Sequence, residues 1–95
     1  MNEINFRHIL YPLGLDDEEI DELVGFCPKL EFADTKRIST NISLLVTHGY
    51  PECDLKELFL VNPRILVYDN KKLLQKLINL GDDIEEKIKD NPHFI

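Results

Sequence analysis

Two segments decide how this chain is read: GLDDEEIDELVGFCPKLEFADTKR, Gly14 to Arg37, and GYPECDLKELFLVNPRILVYDNKK, Gly49 to Lys72. A shift of 35 residues lays the first on the second. Gly14 then meets Gly49, Ile20 meets Leu55, Leu23 meets Leu58, Pro28 meets Pro63, Lys29 meets Arg64, Leu30 meets Ile65, Asp34 meets Asp69 and Lys36 meets Lys71. Recurrence at a fixed period of this length marks a repeat architecture, in which a unit buries its apolar face only by stacking on its neighbours. The pattern extends in both directions. From Gly81, the stretch GDDIEEKIKDNPHFI begins a third copy with a shorter first helix, and Phe6, Leu10 and Leu13 precede Gly14 as Leu73, Leu77 and Leu80 precede Gly81. The expected organisation is one domain with a partial unit over 3–14, full units over 14–48 and 49–80, and a partial unit over 81–95.

Local signals assign the elements within each unit. Asp16 with Glu19 three residues later forms a capping box, and Ile20, Leu23 and Val24 follow at helical spacing, predicting a helix near 16–26. Leu55, Leu58 and Phe59 predict its counterpart near 51–61, with Pro51 in the first turn. Asn62-Pro63 and Asn91-Pro92 place a good N-cap residue before a proline, and Cys27-Pro28 does so with a weaker cap, so a short helical turn is expected after each. A longer helix follows Asp34 or Asp69 as cap, carries Ile38, Ile42 and Leu45 or Leu73, Leu77 and Leu80, and stops at Gly49 or Gly81. Arg64 to Tyr68 is rich in strand formers, but a lone strand among helices has no partner for its backbone groups, so the helical reading is preferred. The fold expected is all-α: a right-handed solenoid or bundle of helix, short helix, helix units. Its core draws on Leu23, Leu30, Ile38, Ile42, Leu45, Leu55, Leu58, Ile65, Leu73, Leu77, Leu80 and Ile84.

Composition bounds the function. Ninety-five residues, 43% hydrophobic and 31% charged, suit one small domain with a single core and exclude a large multidomain enzyme. A net charge of −7 argues against a polybasic coat over the whole surface. No apolar run is long enough for a membrane span, and the opening residues have no leader layout, so a cytoplasmic chain without a membrane partner is expected. Two cysteines, Cys27 and Cys53, are expected as free thiols. His8, His48 and His93 lie too far apart in sequence to share a helix face, and neither a phosphate loop nor a nucleophile motif occurs. The reading is non-enzymatic, with no catalytic residue, metal site or cofactor.

Charge position is more informative than total charge. Six acids fall between Asp16 and Glu22 and four between Asp82 and Glu86, at the starts of first helices, where they complement the helix dipole. Between Thr35 and Gly81 the balance reverses, with seven Lys and Arg against four acids. Stacking of equivalent positions would align Lys29, Arg64 and His93 in one ladder and Lys36, Arg37, Lys71 and Lys72 in a second. Such ladders suit phosphates; the plainer alternative is long basic stems covering apolar surface with solvated heads. Phe26, Phe32, Phe59 and Tyr68 flank the proline turns, where an aromatic beside a base can stack a nucleobase. Core packing is the simpler reading of them. Tyr11 and Tyr50 are expected to cover the junctions between units, hydroxyls outward.

The run Asn62-Pro63-Arg64-Ile65-Leu66-Val67-Tyr68, with Leu73-Leu74 and Leu77-Ile78-Asn79-Leu80-Gly81, and more loosely Cys27-Pro28-Lys29-Leu30, resembles the repeat of the mitochondrial transcription termination factor (mTERF) family. The resemblance spans nearly the whole chain. It implies a curved stack of triple-helical repeats and nucleic-acid binding through Lys29, Lys36, Arg37, Arg64, Lys71 and Lys72, in a transcription-related role. The alternative, favoured by the net charge of −7, is a protein-interaction scaffold or homo-oligomer. In that reading the terminal units lack polar caps, and Phe94 and Ile95 form the interface.

Overall fold

The computed structural model describes residues 5–95, and every regular element among them is helical. In chain order these are α1 (Phe6–Leu10), a 3-10 turn (Tyr11–Leu13), α2 (Asp17–Phe26), a 3-10 helix (Pro28–Phe32), α3 (Thr35–Thr47), a 3-10 turn (Glu52–Asp54), α4 (Leu55–Val61), α5 (Arg64–Val67), α6 (Asn70–Leu80) and α7 (Ile84–Asp90). The two full units are thus α2, 3-10 helix, α3 and α4, α5, α6. Arg64 to Val67 is a turn of α-helix rather than a strand.

Corresponding elements of successive units pack on one another. Helix α1 lies against α3 and α3 against α6; α2 lies against α4, and the 3-10 helix of the first unit against α5. Similar sequences at a fixed period adopt the same local structure and bury their apolar faces in the same direction. The common core holds Leu23, Leu30, Ile38, Leu45, Leu55, Leu58, Ile65, Leu73, Leu77 and Ile84, with Ile42 and Leu80 half-buried at its margin. It also includes Leu15, Tyr50, Leu66 and Ile88. The radius of gyration is 12.7 Å, close to the roughly 12.4 Å of a compact domain of this length. Two full units make a short stack, elongated to 40 × 23 × 21 Å.

Much of the punctuation acts at the residues expected of it, but no helix forms after Asn91-Pro92, Cys27 makes no side-chain cap, and two further exceptions shape the fold. Asp16 accepts from the Glu19 backbone N–H at 2.8 Å while the Glu19 carboxylate accepts from the Asp16 N–H at 3.1 Å. Asp34 and Asp69 accept from the backbone N–H groups of Lys36 and Lys72 at 2.9 and 3.0 Å. At the end of α3 the Gly49 N–H donates to the Val46 carbonyl and the Tyr50 N–H to the Leu45 carbonyl. These paired bonds define a Schellman motif, which needs the positive φ of Gly49, +109°. Tyr50, the residue after Gly49, is buried and belongs to the core.

The first exception is Pro51, which has extended ψ and precedes the 3-10 turn Glu52–Asp54 instead of entering α4. Cys53 therefore sits in that 3-10 turn and not in the first turn of an α-helix. The second is Asn62. Its side chain does not cap α5; it is buried, and its amide donates at 3.0 Å to the Pro92 carbonyl of the following unit.

Candidate nucleic-acid interface

The six basic residues singled out from the sequence stand where each unit turns from its short helix into its second helix. Lys29 lies in the 3-10 helix and Arg64 opens α5; Lys36 and Arg37 are in the first turn of α3, Lys71 and Lys72 in the first turn of α6. The first-unit short helix packs on α5, and α3 packs on α6, so both proposed ladders run between touching elements.

Two asparagines tie this region together. Asn41, fully buried on α3, donates from Nδ2 to the carbonyls of Ile65 at 2.9 Å and Tyr68 at 2.8 Å, at the end of α5. Asn70, first residue of α6, donates to Asn41 Oδ1 at 2.6 Å and to the Arg37 carbonyl at 3.1 Å. The basic first turns of α3 and α6 are thereby held at a fixed spacing. No signal in the repeat pattern marks Asn41, whose counterpart 35 residues on is Lys76.

Three basic residues are ion-paired, and Lys76 and Lys87 join the other bases in having no carboxylate within ion-pair distance among the described residues. Arg7 bonds Asp17 at 3.2 Å and Asp21 at 2.6 Å; Lys56 pairs with Glu19 at 3.1 Å; Lys89 bridges Asp54 at 2.7 Å and Glu85 at 2.8 Å. Lys87 bonds the Leu80 carbonyl. The Arg7, Lys56 and Lys89–Asp54 pairs join different elements, whereas Lys89–Glu85 lies within α7. Lys29, Lys36, Arg37, Arg64, Lys71 and Lys72 are all exposed, and among the described residues none has a carboxylate within ion-pair distance. Asp34 and Asp69, the acids nearest in sequence to the α3 and α6 pairs, are bonded to backbone N–H groups.

The charged contacts also perturb titrations. The Tyr11 hydroxyl donates to Asp17 at 2.6 Å. That bond, with Arg7 beside it, holds the Asp17 carboxyl below its ordinary value, and the same bond raises the Tyr11 pKa. Hydrogen bonds from Lys89 to Asp54 and Glu85 raise the pKa of Lys89. Burial pushes the Tyr50 hydroxyl up.

The aromatic residues divide in a way the sequence reading did not anticipate. Phe59 is buried and Tyr68 half-buried, but Phe26 is 78% exposed and Phe32 87%. Ile20 and Leu23, with Cys27 just past the last residue, mark the buried edge of α2, and at ~100° per residue Phe26 falls roughly 90° from its centre. Val61, the counterpart of Phe26, is likewise 51% exposed. Phe94 and Ile95 are half-buried and pack against the core, and His93 is exposed.

Cys27 is a buried free thiol and Cys53 an exposed one. Among the described residues no group of three or more His, Cys, Asp or Glu is placed to hold a metal ion, and no helix is long and apolar enough to cross a membrane. The structure defines an all-α helical-repeat protein. No family model matches the chain, and no curated protein or solved structure does so either.

Proposed function

We propose that this chain is a non-catalytic binding module built of mTERF-like repeats, stacked right-handedly, and that its ligand is nucleic acid. The observation that supports this reading most directly is the sorting of its cations. Arg7, Lys56 and Lys89 are joined to acids, whereas six exposed bases at the repeated short-helix junction have no carboxylate partner among the described residues. A local basic stripe acts on phosphates despite a net charge of −7, because acids farther away than about 8–10 Å are screened at physiological salt. The resemblance of Asn62 to Tyr68 and Leu73 to Gly81 to the mTERF repeat supports the same ligand and a transcription-related role.

The test is filter binding of labelled DNA and RNA over a salt series. If all six side chains engage phosphates, log affinity falls with log salt at a slope of roughly −5 on duplex DNA, about −0.9 per contact. Absent or salt-insensitive binding refutes the reading.

A second reading, a protein-interaction scaffold, draws support from the acidic total and the exposed Phe26 and Phe32. Its interface would be these rings more than Phe94 and Ile95, which already pack inward. Concentration-dependent mass by light scattering, without oligonucleotide binding, would favour it.

A further inference from the structure

We infer that Phe26 and Phe32 are base-stacking platforms on either side of Lys29, and that the ligand is therefore nucleic acid with unpaired bases. The inference rests on the nucleic-acid reading above and specifies its substrate class.

The geometry of the short helix carries it. A 3-10 helix has three residues per turn, so side chains three apart lie one above the other. In Pro28–Phe32 this divides the turn into three sides: Leu30 points into the core, Glu31 occupies a second, and Lys29 and Phe32 share the third. An exposed ring is thus set beside an exposed ammonium group without a carboxylate partner among the described residues. Phe26 ends α2 three residues before Lys29 and places a second exposed ring at the other end of the same turn. Phe32 also forms a wall of a shallow, open cleft shared with Asn5, Phe6, Arg7 and Thr35.

Exposed aromatic faces are costly to leave in water, since burial of one such side chain is worth about 1.5–3 kcal/mol. The Phe26 position is outside the core in both full units, because its counterpart Val61 is also exposed. The first unit differs in that it holds flat rings at both positions and exposes both, whereas Val67, the counterpart of Phe32, is half-buried against the core. Lysine beside phenylalanine matches the two chemistries of a single strand: the ammonium takes the phosphodiester and the ring takes the face of a base. In a duplex those faces are already stacked on their neighbours, so the platforms discriminate in favour of unpaired nucleotides.

The experiment is fluorescence anisotropy of a labelled single-stranded RNA, the same sequence as single-stranded DNA, and a duplex hairpin, titrated with the full chain and with F26A, F32A and K71A/K72A variants. The single strands are expected to bind more tightly than the hairpin. Each ring substitution should weaken single-strand binding by about 5- to 150-fold, with little change on the hairpin and no change in salt slope. K71A/K72A should instead reduce that slope. Because the chain contains no tryptophan, F32W supplies a single tryptophan, selectively excited apart from the three tyrosines, which is expected to retain binding and to be quenched by single strands. An unchanged unfolding midpoint by circular dichroism confirms that each variant is folded. Equal affinity for strand and hairpin, with no loss on F26A and F32A, overturns the stacking inference and leaves nucleic-acid binding intact. Failure of every oligonucleotide to bind overturns both. Self-association of the native chain that F26A/F32A abolishes, without an effect on oligonucleotides, makes the rings a protein contact and overturns the inference.

Discussion

The side-chain amides of Asn41 and Asn70 meet at 2.6 Å, twenty-nine residues apart in sequence, and through them α3 is bonded both to the end of α5 and to the start of α6. This pair supplies what apolar packing alone does not, a unique offset between successive units. Apolar faces tolerate sliding, whereas buried carbonyls demand a donor at one place.

Substitution of Asn41 by Ala strands the carbonyls of Ile65 and Tyr68 in the interior. The expected loss is roughly 2–6 kcal/mol, from about 1–3 for each orphaned polar group, read as a fall in the urea midpoint. Asn70→Ala, at a half-buried site, should cost less.

The two exposed phenylalanines and the core leucines predict opposite results from the same truncation. Leu58→Ala and Leu77→Ala should each cost about 2–5 kcal/mol, from lost burial plus the cavity left behind. Phe26→Ala and Phe32→Ala should stay within about 0.5 kcal/mol, as substitutions outside packed sites do. Urea unfolding of the four variants tests the contrast.

Two glycines should respond oppositely to a methyl group. Gly49 has φ +109° and open space around its Cβ position, so Gly49→Ala meets no clash but forces an L-residue into a disfavoured backbone region, costing about 1–2 kcal/mol. Gly25 sits within α2 with nothing near its Cβ position, and Gly25→Ala should stabilise by roughly 0.5–1 kcal/mol. Thermal midpoints measured side by side distinguish them.

The bond from Tyr11 to Asp17 makes stability depend on acid pH. A carboxyl with a depressed folded-state pKa contributes stability that is present above its unfolded value, 3.8, and is lost as pH falls through the lower folded value. Tyr11→Phe should move the Asp17 titration, followed by carboxyl carbon NMR, upward and flatten the acid limb of the stability curve. At the alkaline end Tyr50, raised by burial, contributes stability present below pH 10.0 that is lost as pH climbs through its higher folded value. Tyr50→Phe should flatten the alkaline limb.

The basic ladders predict graded salt behaviour. Removing Lys71 and Lys72 together should shift the salt slope of oligonucleotide binding by about 1.4–1.8, at about 0.7–0.9 per phosphate contact. Lys56→Ala, which removes a base already joined to Glu19, should leave the slope unchanged. Filter binding at several salt concentrations measures both.

Helix boundaries were legible in the sequence because their causes are local. The Asp16–Glu19 box, the Asp34 and Asp69 caps and the glycines at 14, 49 and 81 each act within a few residues, and all three glycines take positive φ. Core positions such as Leu23, Leu58 and Leu77 followed from helical period. The reading failed where a residue's role depends on atoms far along the chain. Asn62 looked like a cap and instead reaches Pro92; Phe26 and Phe32 looked like core and instead face solvent; Asn41 was invisible because polar residues are common on helices. The candidate site was half legible: the sequence located the six bases, but their freedom from carboxylates depended on which acids Arg7, Lys56 and Lys89 had already taken.

By itself, then, the sequence determined that this protein is all-α with repeated helical units, since capping, backbone sterics and apolar period operate over one or two turns. Only the tertiary structure decided which polar groups lock the units together, which rings stay in water and which cations remain unpaired. Those outcomes are set by distances between residues ten to thirty-seven positions apart, and no local pattern encodes them.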